Sequence, residues 1–177
     1  SEMCIRDSPC SIHDEASALD YAEKLKQLQS QLSDQILLVM RAYIEKPRTT
    51  VGWKGFLYDP NLDGSSNMQL GLEKSRDLYL KIIEMGLPIA SEILSPMATA
   101  YFDDLLAWGA IGARTSESQI HREISSHMPY SIGFKNGTDG SIQIALDAIQ
   151  SASHPHQFLG MSQSGLPCIC LLYTSDA

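Results

Sequence analysis

The sequence predicts an α/β fold in which short apolar strands alternate with amphipathic helices around a parallel sheet. Three observations predict it. Short, uniformly apolar runs recur along the chain. Each is followed by a loop and then by a stretch whose apolar residues recur at helical spacing. Gly86 and Gly109 stand where two of the helical stretches stop, and glycine and proline crowd the longest loop. Such alternation implies parallel strands joined by helical crossovers.

Asp14 can cap a first helix over residues 14–32, in which Ala18, Tyr21, Ala22, Leu25, Leu28 and Leu32 recur at helical spacing. Residues 36–40 (Ile-Leu-Leu-Val-Met) are too few and too uniformly apolar for a surface helix. They suit a strand buried on both faces. A polar loop, 45–67, carries Pro47, Gly52, Gly55, Pro60 and Gly64. A helix over about 69–85 ends at Gly86. Pro88 leads into a strand at 89–94, and a short helix at 98–108 stops at Gly109. Residues 110–114 read as a strand, 118–126 as a helix and 131–135 as a strand. A helix over 140–152 gathers Ile142, Ala145, Leu146 and Ile149 on one face, and 157–160 begin one more strand. Residues 1–8 and 166–177 show neither period and resemble translated sequencing-adapter read-through. They are set aside as non-native tails, which leaves 9–165 as the domain.

Composition narrows the function. The chain has 177 residues, 44% hydrophobic and 19% charged, with a net charge of −8. That acidity, without a basic run, argues against a nucleic-acid surface. No apolar stretch approaches the roughly 20 residues of a membrane span, and the N-terminus lacks a signal-peptide core. Cys4, Cys10, Cys168 and Cys170 form neither a disulfide framework nor a zinc-type CxxC pair, which fits a reducing cytoplasm. On composition alone, Cys10 reads as a small buried apolar side chain.

Parallel strands close as a doubly wound sheet or as an eight-fold barrel. No GxGxxG follows the first strand, so a dinucleotide fold has no support. The barrel is favoured by what stands at the C-terminal strand ends, where a barrel builds its active site. Arg41 ends one strand, and Lys46, Arg48 and Lys54 follow it; Glu92 lies on the next, and Arg114 and Lys135 end two more. Each cation alone could simply solvate a loop end. Six of them gathered at strand ends of an acidic chain point to anionic ligands such as phosphate and carboxylate.

Four segments also resemble motifs of the class I 3-deoxy-D-arabino-heptulosonate 7-phosphate (DAHP) synthases. Residues 9–14 (PCSIHD) are similar to that family's GPCSIHD motif, and 41–55 (RAYIEKPRTTVGWKG) to its R-x-Y-x-E-K-P-R-T-x-x-G-W-K-G block. Residues 109–119 (GAIGARTSESQ) and 133–140 (GFKNGTDG) are similar to two more. The resemblance runs from Pro9 to about Gly165. It implies a (β/α)8 TIM barrel, here an incomplete one of about five βα units.

At matching positions the resemblance implies roles. Cys10 is one ligand of a divalent metal (Mn, Fe, Co or Zn). Arg41, Arg114 and Lys135 clamp phosphoenolpyruvate, with Glu92, Lys54 and the backbone N–H groups of Ala113 and Arg114. Lys46 reaches both substrates. Pro47, Arg48 and Thr49 hold erythrose 4-phosphate. In the implied reaction the metal polarises the sugar aldehyde, the enol carbon attacks it, water adds and phosphate leaves. A Schiff base at Lys135 is open to the chemistry, but the motif match argues against it.

The match has gaps. Ser8 replaces the family's glycine, and the residues before it do not read as a strand. The family's remaining metal ligands (a His, a Glu and an Asp) and a further phosphate-binding Arg come from later strands, so this chain is expected to be inactive alone. Ser95, Pro96, Met97, Ala100, Pro129, Phe158 and Gly160 fall near the region matching an aromatic amino acid feedback site, tyrosine favoured. The family forms homo-oligomers. Competing readings are the related synthase of an eight-carbon sugar acid phosphate, which has Asn in place of Cys10 and lacks the Lys-Pro-Arg-Thr block, and a non-catalytic phosphate-binding half barrel.

Overall fold

The computed structural model describes residues 10–161 and 166–171. The expectation made for residues 1–8 lies outside them, as does that for 172–177. The chain divides into two compact units: Ser1–Glu92 with Leu105–Ala107, and Ile93–Asp104 with Trp108–Ala177. No described helix is long and apolar enough to cross a membrane.

The first unit contains α1 (Glu15–Leu32), β1 (Met40–Arg41), α2 (Met68–Glu84) and β2 (Ile89–Glu92). Asp14 caps α1 as its position suggests, its Oδ2 accepting from the Ser17 N–H at 2.7 Å. Ala18 and Ala22 are the buried residues of that helix. The Asn67 side chain accepts from the Leu70 N–H and starts α2, which buries Leu78, Tyr79 and Ile82 completely. Each such apolar side chain contributes roughly 1.5–3 kcal/mol. Gly71 brings α2 against the loop before it: a Cβ there would lie 1.9 Å from the Leu57 carbonyl oxygen. Lys81 of α2 bridges Glu15 of α1 at 2.7 Å and Asp77 at 2.6 Å.

Strand β1 runs parallel to β2, with Met40 opposite Ile89 and Arg41 opposite Ala90. The Met40 and Ala42 N–H groups donate to Pro88 and Ala90, each at 2.8 Å. The expected buried strand at 36–40 is thus mostly absent. Only its last residue pairs, and Ile36, Leu37 and Val39 are exposed while Met40 is buried. An apolar run buries only where a partner covers it, and β2 reaches no further back than Pro88.

The second unit contains α3 (Pro96–Phe102), β3 (Trp108–Ile111), α4 (Gln119–Ser125), β4 (Ser131–Phe134), α5 (Gln143–Ala152), β5 (Gln157–Met161) and β6 (Pro167–Leu171). β3 and β4 pair in parallel, Trp108 opposite Ser131 through Ile111 opposite Phe134. The helix expected at 98–108 starts and stops earlier, because Pro96 presets its first turn. Trp108 opens a strand instead, its ring seated over the bare backbone of Gly133. Strand β5 forms where expected, but it pairs antiparallel with β6, with Phe158 opposite Cys170 and Gly160 opposite Cys168. β6 falls inside the segment read as a tail. The α5 face predicted from periodicity divides: Ala145 and Ala148 are buried, whereas Ile142, Leu146 and Ile149 are exposed.

Candidate functional site

In the first unit the site is the loop that leaves β1. Its backbone folds back on itself: Lys46 N–H donates to Lys54 O at 2.8 Å and Leu57 N–H to Ile44 O at 3.1 Å. Ile12 N–H donates to Tyr43 O at 2.8 Å, which holds the 10–13 segment against this loop. Gly55 makes the fold-back possible. Its φ is +116°, and a Cβ would lie 2.4 Å from the Ile44 carbonyl oxygen.

Arg41 sits where β1 ends. One guanidinium nitrogen, Nη2, donates to the Cys10 carbonyl at 3.1 Å. The guanidinium carbon lies 4.0 Å from the centre of the Tyr43 ring, a cation–π contact. Its Nε is buried and has no hydrogen-bond partner among the described residues. Tyr43 is buried, and burial pushes its phenol pKa up; the Arg41 charge opposes that shift, while Glu92 and Cys10 add to it. Cys10 is exposed and free, so the small buried apolar role suggested by composition does not hold. Glu92 closes β2 at 9% exposure.

The other loop cations take different positions. Arg48 is exposed, and its Nε donates to Trp53 O at 2.9 Å. Thr49 is exposed, and Pro47 and Lys46 are half-buried. Lys54 is exposed, with Nζ 6.0 Å from the Tyr58 ring. Tyr58 donates its hydroxyl to the buried Glu45 carboxylate at 3.2 Å. Among the described residues, the side chains of Lys46 and Lys54 have no ion-pair partner.

In the second unit, Arg114 and Lys135, expected as the last residues of their strands, instead follow the paired ends at Ile111 and Phe134. The chain turns after Ile111, and the Thr115 and Ser116 N–H groups both donate to Gly112 O at 3.0 Å. Arg114 rides this turn, exposed, beside half-buried Ala113. Lys135 N–H donates to Ile111 O at 3.0 Å and carries the β3–β4 ladder one residue further. Ser116, fully buried, links the two: its hydroxyl lies 2.8 Å from Lys135 O. Sequence reasoning quoted Ser116 within a motif but gave it no role, because nothing in a serine's identity names its tertiary acceptor.

The residues proposed for an aromatic amino acid also lie in this unit. Ser95 precedes α3, Pro96 begins it, and Met97 and Ala100 are exposed on it. Pro129 is exposed, and Phe158 and Gly160 belong to β5. The His127 ring meets Phe158 edge-on at 5.6 Å.

A metal does not fit the described residues by themselves, among which no cluster of three or more His, Cys, Asp or Glu side chains could hold an ion. Cys10 offers a single thiolate, where a divalent site needs several ligands.

Comparison with known proteins bears on the family and the fold. The model of the DAHP synthetase I family matches residues 3–174. The Tyr-sensitive phospho-2-dehydro-3-deoxyheptonate aldolase of Escherichia coli is 53% identical over 157 residues, 89% of this chain and 44% of the relative. The tyrosine-inhibited enzyme of Candida albicans is 52% identical over 169 residues, 95% of this chain and 46% of its own. The phenylalanine-inhibited enzyme of Saccharomyces cerevisiae is 48% identical over 161 residues, 91% and 43% respectively. The chain therefore spans less than half the length of these curated relatives. The solved structure of the aldolase from Francisella tularensis superposes with a TM-score of 0.90 at 52% identity, covering 92% of this chain and 48% of that one. The fold is that of an incomplete α/β barrel, and the chain belongs to the DAHP synthetase I family.

Proposed function

We propose that this chain supplies anion-binding elements of a DAHP synthase, which joins phosphoenolpyruvate to erythrose 4-phosphate at the entry to aromatic amino acid biosynthesis. One observation carries the reading: the half-buried Arg41, whose Nε lacks an acceptor among the described residues while Nη2 holds the Cys10 carbonyl. A buried donor left unmet costs about 1–3 kcal/mol, and more on a charged group. A phosphate or carboxylate oxygen meets that need, and guanidinium suits both. The family's membership supplies the identity of the ligand.

In this reading Arg41, Lys54, Glu92, Ala113, Arg114 and Lys135 serve phosphoenolpyruvate. Lys46 serves both substrates, and Pro47, Arg48 and Thr49 serve the sugar phosphate. The methylene carbon of phosphoenolpyruvate forms a bond to the aldehyde carbon, whose oxygen takes a proton. Water adds to the neighbouring carbon, and the carbon–oxygen bond to phosphate breaks. The cations balance the carboxylate and phosphate charge throughout. The family is generally metal-dependent, and Cys10 is the one described residue the resemblance names as a ligand. Relatives are named for tyrosine and for phenylalanine sensitivity; tyrosine is the proposed effector here. Cytoplasmic residence and homo-oligomeric assembly belong to the same reading.

The test is a nuclear magnetic resonance titration of the chain with phosphoenolpyruvate. Saturable shifts are expected, and Arg41→Ala should weaken binding roughly tenfold to a hundredfold, the worth of a charge-assisted hydrogen bond. Equal binding by the native chain and the Arg41→Ala and Arg114→Ala variants would refute the proposal.

A further inference from the structure

The second unit contains a serine whose polar groups are all engaged. Ser116 is fully buried in the turn that carries Arg114. Its N–H donates to Gly112 O at 3.0 Å, and its own carbonyl accepts from Arg122 Nε at 2.8 Å. Its hydroxyl has two carbonyls in reach, Gly112 O at 3.1 Å and Lys135 O at 2.8 Å. A hydroxyl has one proton to give. The Gly112 carbonyl already accepts from the Thr115 and Ser116 N–H groups and from the Thr115 hydroxyl at 3.1 Å. The nearer and less crowded acceptor is Lys135 O.

That bond ties two chain segments whose separation no ladder bond fixes. The β3–β4 pairing extends as far as Lys135 N–H on Ile111 O. Beyond Ile111 the chain turns away through Gly112 and Ala113 to Arg114. Without a further tie, the Arg114 turn could swing about Gly112 while Lys135 stayed in place. The Ser116 hydroxyl supplies the tie, and the Arg122 guanidinium holds the far side of Ser116 from α4. Both links leave the side chains of Arg114 and Lys135 uninvolved.

We infer that Ser116 is a positioning residue that, backed by Arg122, sets the spacing between the Arg114 turn and the Lys135 strand end, and so sets the affinity of those two cations for a carboxylate- and phosphate-bearing ligand. The inference rests on the anion-binding reading given above. A purely structural serine would lower stability when changed and leave the affinity of the folded chain alone. A positioning serine changes affinity as well.

The experiment measures phosphoenolpyruvate affinity by resonance shifts, and urea stability alongside, for the native chain, Ser116→Ala and Ser116→Thr. Ser116→Ala is expected to weaken binding roughly three- to tenfold, the worth of one hydrogen bond. Ser116→Thr keeps the hydroxyl and is expected to stay within about twofold of native. Native-like affinity in Ser116→Ala, or a threonine variant no better than alanine, overturns the inference. Should Ser116→Ala fail to fold, Arg122→Gln removes the outer support from an only partly buried position and is expected to weaken binding in the same direction; native affinity there overturns the inference equally. Arg114→Ala and Lys135→Ala separate the two readings. If neither changes binding, the anion-binding reading of this unit falls and takes the inference with it. If both weaken binding and Ser116→Ala does not, only the role of Ser116 falls.

Discussion

Replacing Tyr79 by phenylalanine tests how the first unit fixes the strand ends that carry Arg41 and Glu92. The Tyr79 side chain is fully buried, and its hydroxyl lies 2.5 Å from Ala42 O and 3.0 Å from Ser91 Oγ. Ala42 follows Arg41 and Ser91 precedes Glu92, so one phenol secures both strands where they reach the site. Ala42 is 0% exposed and Ser91 4%, so water does not replace the lost partner. Each net hydrogen bond is worth about 0.5–1.5 kcal/mol, and losing both gives a predicted cost of about 2 kcal/mol. With a urea slope of roughly 1–3 kcal/mol per molar, the midpoint falls by about 1 M. The two tryptophans make the assay local, because Trp53 lies in the first unit and Trp108 in the second. Trp53 fluorescence, read in a Trp108→Phe background, follows the perturbed unit. A double-mutant cycle with Ser91→Ala isolates the hydroxyl pair, with a coupling of about 1 kcal/mol expected. A midpoint shift below about 0.2 M, or fully additive single changes, refutes the claim that Tyr79 secures these strand ends.

Gly55→Ala should cost about 2 kcal/mol or more, because φ is +116° and the new Cβ meets backbone at 2.4 Å, whereas Gly64→Ala, at φ +75° with nothing within 4 Å, should cost about 1. Equal urea midpoints for the two would contradict this. Burial raises the pKa of both Tyr43 and Tyr130, with the Asp103 charge adding to the shift at Tyr130. The folded state therefore favours the neutral phenols, and their stabilisation is complete below about pH 10 and declines as pH climbs toward the raised values. Urea midpoints should fall between about pH 9 and 11, less steeply in Tyr130→Phe; a flat profile in the native chain speaks against buried phenols. Finally, the purified chain with both substrates and a divalent metal should release no phosphate, since the described residues gather no cluster of three or more His, Cys, Asp or Glu side chains that could hold the metal; measurable turnover would overturn that expectation.

Local signals were legible in the sequence, and those requiring a distant partner were not. Asp14 announced the start of α1 because a cap depends only on its own next turn. The apolar spacing of α2 and the short runs of β2 and β4 were equally local. Residues 36–40 misled because a uniformly apolar run states a capacity for burial, and the partner strand pairs only its last residue. On α5 the same limit appears: periodicity grouped Ile142, Ala145, Leu146 and Ile149, and of these only Ala145 is buried, beside Ala148, which the grouping left out. The partner and direction of β5 were invisible, since pairing with β6 depends on a segment that carried no strand period. Within the site, the residue types of Arg41, Arg114 and Lys135 were readable as anion-binding, while the cation–π seat on Tyr43 and the Ser116 tie depend on tertiary neighbours.

Gly71 has a consequence for how this chain tolerates change. Its hydrogen-only side chain lets α2 rest directly on the Leu57 carbonyl, with no room for even one methyl. In a saturation screen scored by function, position 71 will therefore read as intolerant, like a ligand-contacting residue, although it makes no part of the proposed anion contacts. The sensitivity has a steric origin: any larger residue pries the helix off the segment leading back to Lys54 and Arg48, and the damage arrives at the cations second-hand.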